Sequence, residues 1–176
     1  MASAMMVSSP VFASGGLGEY NLLKEIESYG IRVRFNAPIC DKEKFQGSYD
    51  FVNGQLHVCQ DNVRGKEKSQ GQVVEMTPND LDTIRHEAVH VIHDCMDGRL
   101  GNRKLYPIFQ TDEARVDFVT RVLPQEKIKQ IITFYLERGL EPIQVEMELE
   151  AFAIAASAPA AAIEETMGKA CSLNFD

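Results

Sequence analysis

The sequence predicts an α+β domain, with a small sheet near the N-terminus and helices in the rest of the chain. Short segments with strand patterns and turn signals precede residue 60, one long apolar helix spans residues 77–98, and the later segments have helical spacing. Strands first and helices afterwards are typical of α+β domains. The chain has 176 residues, of which 44% are apolar, and this is enough to bury one core.

Residues 1–17 are predicted to be a flexible tail or signal remnant, so that the single domain spans residues 18–176. The tail is weakly apolar and contains Val11-Phe12-Ala13, a small-residue pattern like a signal-peptidase site, but the basic start of a signal is missing. If residues 1–13 are the remnant of a signal, the protein is exported. If they are a disordered tail, it is cytoplasmic.

One helix and three strands are predicted at the start of the domain. Tyr20 to Tyr29 has apolar side chains at helical spacing, and Ile31 to Phe35 alternates apolar and charged side chains, as a half-buried strand does. Asn53-Gly54 is a strong two-residue turn signal. It joins the segments Tyr49 to Val52 and Leu56 to Cys59, which are therefore predicted to form a hairpin.

A long helix follows a polar loop at residues 60–76. Thr77 is a good N-cap, Pro78 suits the first helical position, and Asp80 completes a capping-box-like pattern. Gly98 is the predicted end. Because this helix is apolar nearly all round, we expect it to run through the core. Four more helices are predicted, at residues 111–123, 125–138, 142–157 and 159–171.

The charge balance argues against a nucleic acid partner. The net charge is −8, and a chain this acidic repels phosphate backbones. The densest basic stretch, Arg64 to Lys68, contains an acidic residue and is predicted to be a solvated loop. No membrane span is expected, because the most apolar run, Ala151 to Ile163, is short and interrupted by Pro159. Nothing in the sequence indicates an oligomeric state.

The four cysteines form no C-x-x-C pair, which makes a cysteine-based zinc site improbable. Their even number would suit two disulfides in an exported protein, with Cys40 bonded to Cys59 and Cys95 bonded to Cys171. Four buried free thiols are the alternative, and the sequence leaves both open.

The segment His86-Glu87-Ala88-Val89-His90 on the long helix is an H-E-x-x-H motif. Residues four apart lie one helical turn apart on the same face, so both imidazoles can bind one metal ion. Glu87 projects beside that face. Zinc makes its bound water acidic near neutral pH, and the carboxylate takes the proton. We therefore predict one Zn²⁺ ion bound by His86 and His90, with Glu87 as the general base.

This motif resembles that of the zincin metallopeptidases, whose active-site helix carries the same H-E-x-x-H. The resemblance covers the motif, the strands before it and the helical half after it. It implies a zincin-like fold, with a small twisted sheet over the metal helix, and hydrolysis of peptide bonds. A peptide or protein substrate is then expected to pair with an edge strand, for which residues 48–59 are our candidate.

A catalytic zinc site needs a third protein ligand and one open position for water. The extended motif of the metzincin branch needs a histidine where this chain has Met96. His93 lies about 10 Å from His86 along the helix axis, too far to share the ion, and is predicted to pack or to support a ligand. The remaining possibility for the third ligand is a glutamate from a later helix, as in the gluzincin branch.

Glu150 is the predicted third ligand. It shares a helical stripe with apolar residues, so its carboxylate faces the core, where a metal would offset the cost of burial. Small zincins similar to this chain carry Glu-Ala-Phe-Ala on the ligand helix, as residues 150–153 do. Glu113 is the alternative, because Glu113 to Asp117 resembles the E-x-x-x-D of thermolysin-like enzymes, and Glu146 is a third candidate.

Two supporting roles have several candidates. Ligand histidines usually donate their second ring N–H to a carboxylate or carbonyl, and enzymes of this kind often use a tyrosine to stabilise an oxyanion. The candidates are Asp94, Asp97, Asp112 and Asp117 for the first role, and Tyr106 and Tyr135 for the second.

Two other functions stay open beside peptide hydrolysis. The chain could be a catalytically inactive zincin-fold protein that binds metal and acts as an interaction module. It could also be a zinc hydrolase that cuts an amide other than a peptide. Bound zinc without turnover would indicate the first, and a broad substrate screen would identify the second.

Overall fold

A computed structural model of the chain describes residues 16–42, 45–63, 71–102 and 104–171. The tail predicted at residues 1–17 lies outside these residues except at its end, where the first helix begins. The elements are α1 Leu17–Ser28, β1 Arg32–Phe35, α2 Ile39–Lys42, β2 Gly47–Asp50, β3 Gln55–Val58, α3 Pro78–Cys95, α4 Asp112–Val122, α5 Gln125–Leu136, α6 Pro142–Ser157 and α7 Ala160–Cys171.

This order confirms the predicted α+β class, with a small N-terminal sheet, a long helix after it and a helical C-terminal half. Across the part of the chain that the structure describes, no helix has both the length and the apolar content that a membrane crossing needs.

The sheet has three strands in the order β1-β3-β2. β2 pairs antiparallel with β3, and this confirms the predicted hairpin. β1 pairs with β3 in parallel, so that Arg32 lies opposite Gln55. As a result, β2 forms one edge of the sheet, and this edge packs against α3.

The turn of the hairpin differs from the prediction of a two-residue Asn53-Gly54 turn. The strands end earlier, at Asp50, and residues 51–54 connect them. The Asp50 carboxylate accepts N–H bonds from Val52 at 3.1 Å and from Asn53 at 3.0 Å. A short acidic side chain that bonds the backbone two and three residues ahead stabilises the wider turn.

Helix α3 runs through the centre of the molecule. Its first turn has the predicted capping box, in which the Thr77 side chain accepts from the Asp80 N–H and the Asp80 side chain accepts from the Thr77 N–H. Its apolar residues Ile84, Val89 and Ile92 are almost fully buried. The sheet, α1, α6 and α7 all pack around it. The motif residues are therefore carried by the most enclosed helix of the fold.

Two disulfides join the cysteines, and both pairings agree with the prediction. Cys40 in α2 is bonded to Cys59, the residue after β3. Cys95 at the end of α3 is bonded to Cys171 at the end of α7. The alternative of four free thiols is wrong, because no cysteine is free.

The two disulfides are expected to contribute unequally to stability. The cysteines are 76 residues apart in one pair and 19 in the other, and loop-closure entropy gives about 4.5 and about 3.2 kcal/mol respectively. We expect the double variant C95A/C171A to lose about 1 kcal/mol more of the free energy of unfolding than C40A/C59A does. Urea unfolding measures both. Equal losses, or a larger loss for the short loop, would contradict this ranking.

Candidate metal centre

Helices α3 and α6 pack side by side and bring three side chains to one point. The Nε2 atoms of His86 and His90 are 3.1 Å apart. Glu148, from α6, has Oε2 at 3.3 Å from His86 Nε2 and Oε1 at 3.5 Å from His90 Nε2. These three residues form the group that could hold a metal ion among the described residues. We call this group the metal centre.

The geometry of the metal centre fits a tetrahedral ion. Zinc bonds of 2.0 to 2.1 Å place neighbouring ligand atoms about 3.3 to 3.4 Å apart, close to the three separations found here. Glu148 Oε2 is buried, and within the described ranges it has no hydrogen bond of good geometry, although His86 Nε2 lies 3.3 Å away. A buried carboxylate oxygen in that position is costly unless a cation binds it.

The electrostatics of the metal centre also favour a positive charge. Burial acts to lower the pKa of His90, but the carboxylates of Glu148 and Glu87 outweigh it and raise this pKa to about 9. Burial acts to raise the pKa of Glu148, and the two imidazoles reverse that effect and lower it well below its usual range. The same negative potential that attracts a proton to His90 would attract a divalent cation.

Glu87 lies beside the metal centre, with only 5% of its surface exposed. Burial raises its pKa, and the neighbouring imidazoles of His86 and His90 partly oppose this rise. The backbone N–H of Tyr49 in β2 donates to its carboxylate. The edge strand of the sheet therefore helps to hold Glu87 in position.

The predicted third ligand, Glu150, is not part of the metal centre. It is fully buried as expected, but its carboxylate bonds His93 Nε2 at 3.0 Å and the backbone N–H of Ile108 at 2.9 Å. Glu148 is found beside the two motif histidines instead. The difference from the predicted placement has a geometric cause. Helix α6 contacts the central core through Ala151. A helix turns by 100° per residue, so around the axis of α6 Glu148 lies about 60° to one side of Ala151 and Glu150 about 100° to the other side.

The other glutamates considered lie away from the metal centre. Glu113 is exposed on the first turn of α4. Glu146 forms an ion pair with the buried Arg115. The sequence did not predict Glu148, because the apolar stripe of α6 identifies only the positions that lie within it. Glu148 lies beside that stripe. Its place one turn before the buried Ala151 and the half-buried Phe152 was the available signal.

The aspartates considered as supports for a ligand histidine bond other groups. Asp94 accepts from the Tyr49 hydroxyl at 2.7 Å and from the Gly101 N–H at 3.0 Å. The acceptor beside His90 is another histidine, since His90 Nδ1 lies 3.3 Å from His93 Nδ1. Burial lowers the pKa of His93 to about 4. The remaining aspartates have partners elsewhere: Asp97 with Arg99 and Asn102, Asp112 with Arg115, and Asp117 with Arg121.

A cavity of about 400 Å³ opens beside His86 and Glu87. Helix α5 forms one wall of it with Phe134 and Tyr135. Tyr135 also lies against Glu148, and burial together with this carboxylate raises its pKa. Of the two tyrosines considered, Tyr135 is therefore the one at the metal centre. Tyr106 is 38% exposed and does not line this cavity.

Gly47 in β2 gives a test of how tightly the edge strand packs on the motif helix. A Cβ atom at this position would lie 2.6 Å from Thr83 Cγ2 and 2.7 Å from Glu87 Oε1. We expect Gly47→Ala to lower the free energy of unfolding by roughly 1 to 3 kcal/mol, because the added carbon overpacks this contact.

Gly168→Ala is the matched control, since a Cβ there meets no atom within 4 Å and the position is inside α7. The free energy of unfolding of this variant should rise by about 0.5 to 1 kcal/mol, because alanine has a better helix propensity than glycine. Urea unfolding compares the two. A neutral Gly47→Ala would show that Glu87 and β2 are not in close contact.

One protein family matches this chain. It is described as Domain of unknown function (DUF8637), and the match spans residues 9–154. No curated protein and no solved structure matches the chain. The matched range includes both motif histidines, Glu87 and Glu148. Because the match covers most of the sequence, the chain belongs to the DUF8637 family.

Proposed function

We propose that this protein is a zinc-dependent hydrolase of peptide bonds with a zincin-like fold. In this proposal His86, His90 and Glu148 bind one zinc ion, and Glu87 is the general base. The observation that carries the proposal is the convergence of two imidazoles and one carboxylate on a single point, with a second, buried carboxylate beside them.

Zinc is the metal that this set of donors suits best. Two histidines and one glutamate form a known type of catalytic zinc site, in which the fourth position stays open. When bound, zinc supplies Lewis acidity, which makes a coordinated water reactive near neutral pH. The chain itself supplies the ligands, the base and the surroundings.

Glu87 is suited to take and return a proton. Its burial raises its pKa above that of an exposed glutamate, which makes the carboxylate a stronger proton acceptor. Its carboxylate would remove the proton of the attacking water and deliver it to the leaving nitrogen. The Tyr49 N–H fixes the orientation of the carboxylate during both transfers.

The outer edge of β2 faces the cleft, and its backbone groups other than the Tyr49 N–H, which donates to Glu87, are placed to pair with an extended peptide substrate. The Cys59 N–H donates to the Gln46 carbonyl at 2.7 Å. Because hydrogen-bonded and non-bonded pairs alternate in an antiparallel ladder, the backbone groups of Gly47 and Tyr49 point away from β3. They point toward the cleft that contains Glu87 and Glu148. A peptide strand could add to this edge and bring a peptide bond next to the metal centre.

Tyr135 is the proposed oxyanion stabiliser. It lines the cleft together with Phe134, its hydroxyl donates to the Glu148 carboxylate, and its raised pKa keeps this hydroxyl protonated over the whole physiological range. A phenol that stays protonated can donate a hydrogen bond to an oxygen that gains negative charge.

The role of Glu87 can be tested with Glu87→Gln. This variant keeps the size of the side chain and does not alter the metal centre. We expect it to bind zinc as the wild type does, while kcat/KM for peptide cleavage falls by about 10² to 10⁴-fold, because only the proton acceptor is lost. Metal content by elemental analysis and turnover of a mixed peptide library give the two values.

The two other candidate functions predict different results in the same assay. Wild-type protein that binds zinc but cleaves neither peptides nor other amides would favour the interaction module. Cleavage of small amides without any cleavage of peptides would favour the non-peptide hydrolase. Full activity of Glu87→Gln would contradict the proposed mechanism.

The choice of the third ligand can be tested by comparing Glu148→Gln with Glu113→Gln. Glu148→Gln should weaken zinc binding by more than the roughly 10 to 100-fold that loss of an outer hydrogen-bond partner costs. Glu113→Gln removes an exposed charge and should leave the affinity unchanged. Competition with a chromophoric chelator measures both. Equal zinc affinities of the two variants would contradict the assignment of Glu148 as a zinc ligand.

A further inference from the structure

Glu150 is a fully buried carboxylate with a complete set of donors. His93 Nε2 lies 3.0 Å and the Ile108 nitrogen 2.9 Å from its Oε2, and the Phe109 nitrogen lies 3.4 Å from its Oε1. The guanidinium of Arg115, itself 4% exposed, is 3.9 Å from Oε1. A buried carboxylate held from three sides does not reorient, so it is a fixed acceptor for His93.

The hydrogen bond to Glu150 determines which nitrogen of His93 carries the proton. An ionised carboxylate can only accept, so His93 Nε2 must donate to it, as the Ile108 N–H does. A neutral imidazole has one N–H, and His93 Nδ1 is therefore an acceptor. The atom that faces it at 3.3 Å is His90 Nδ1, which must donate.

This arrangement has a consequence for the metal centre. When the ring is neutral, as it must be to bind a metal, an N–H at Nδ1 leaves His90 a free electron pair on Nε2, the atom that faces His86 and Glu148. The opposite tautomer would put a proton where the metal has to bind. His86 differs, because its buried Nδ1 has no hydrogen-bond partner in the described segments.

We propose that His93 and Glu150 are positioning residues for zinc, forming a relay in which Glu150 fixes His93 and His93 fixes the ring and the tautomer of His90. The relay rests on the proposed metal centre and assigns a role to residues that do not touch the ion. It extends from α6 through α3 to the metal, and the loop containing Ile108 and Phe109 holds its outer end.

The first test is made on the wild-type protein loaded with zinc. Long-range ¹H–¹⁵N NMR spectra identify which ring nitrogen of each histidine is protonated. We expect a proton on Nε2 of His93, a proton on Nδ1 of His90, and a metal-shifted Nε2 of His90. A proton on Nδ1 of His93 would overturn the relay. This measurement needs no variant, so it does not depend on whether any variant folds.

The second test measures zinc affinity in three variants by chelator competition. His93→Leu removes the acceptor for His90 and should weaken zinc binding about 10 to 100-fold. His93→Gln offers one acceptor and one donor, as the neutral ring does, and should recover most of that loss. Ile92→Val is the control, since it creates a small cavity beside His93 in the same helix without entering the relay. Its affinity should equal that of the wild type.

Cobalt(II) absorption spectra of the same variants separate a positioning role from loss of stability. His93→Leu should change the visible bands that report the coordination geometry, whereas Ile92→Val should not. If the wild type binds zinc and His93→Leu binds it equally tightly, the relay is wrong and the metal centre stands. If the wild type binds no zinc, the metal centre itself is wrong, and the relay with it.

Discussion

A buried ionisable side chain needs a partner, and this constraint determines how α3 and α6 fit together. Six such groups meet along their contact: His86, Glu87, His90 and His93 from α3, and Glu148 and Glu150 from α6. Leaving one of them buried and unpaired would cost several kcal/mol. The partners come from α3, α6, the edge strand and the loop before α4. The site can therefore form only when all four are assembled.

The small sheet contributes few residues to the core, and its main role is to position side chains of α3. Tyr49 alone links β2 to α3 twice, through its backbone N–H to Glu87 and its hydroxyl to Asp94. The absence of a side chain at Gly47 lets the strand approach the motif helix closely. A helical bundle without this sheet could bring the three metal-centre residues together, but it would lack the Tyr49 N–H that donates to Glu87.

Local signals in the sequence predicted the long helix, its capping box, the motif and the hairpin, because each depends on residues close together in the chain. The parallel pairing of β1 with β3 and the four-residue α2 carry no such signal. The third metal-centre residue was also beyond local reasoning. Helix α6 packs against the central core through Ala151 and against a second cluster through Ala153, so burial alone cannot decide between Glu148 and Glu150. That decision needs the rotation of α6 relative to α3.

The Cys95–Cys171 disulfide has a consequence for how the molecule responds to a break in its backbone. A single cut between Cys95 and Glu148 leaves both fragments covalently joined, with the motif helix on one and Glu148 on the other. Such a nicked molecule keeps both parts of the metal centre together. A cut between Cys59 and Cys95 has no such safeguard, because no disulfide joins the fragment that carries the sheet to the fragment that carries α4 to α7.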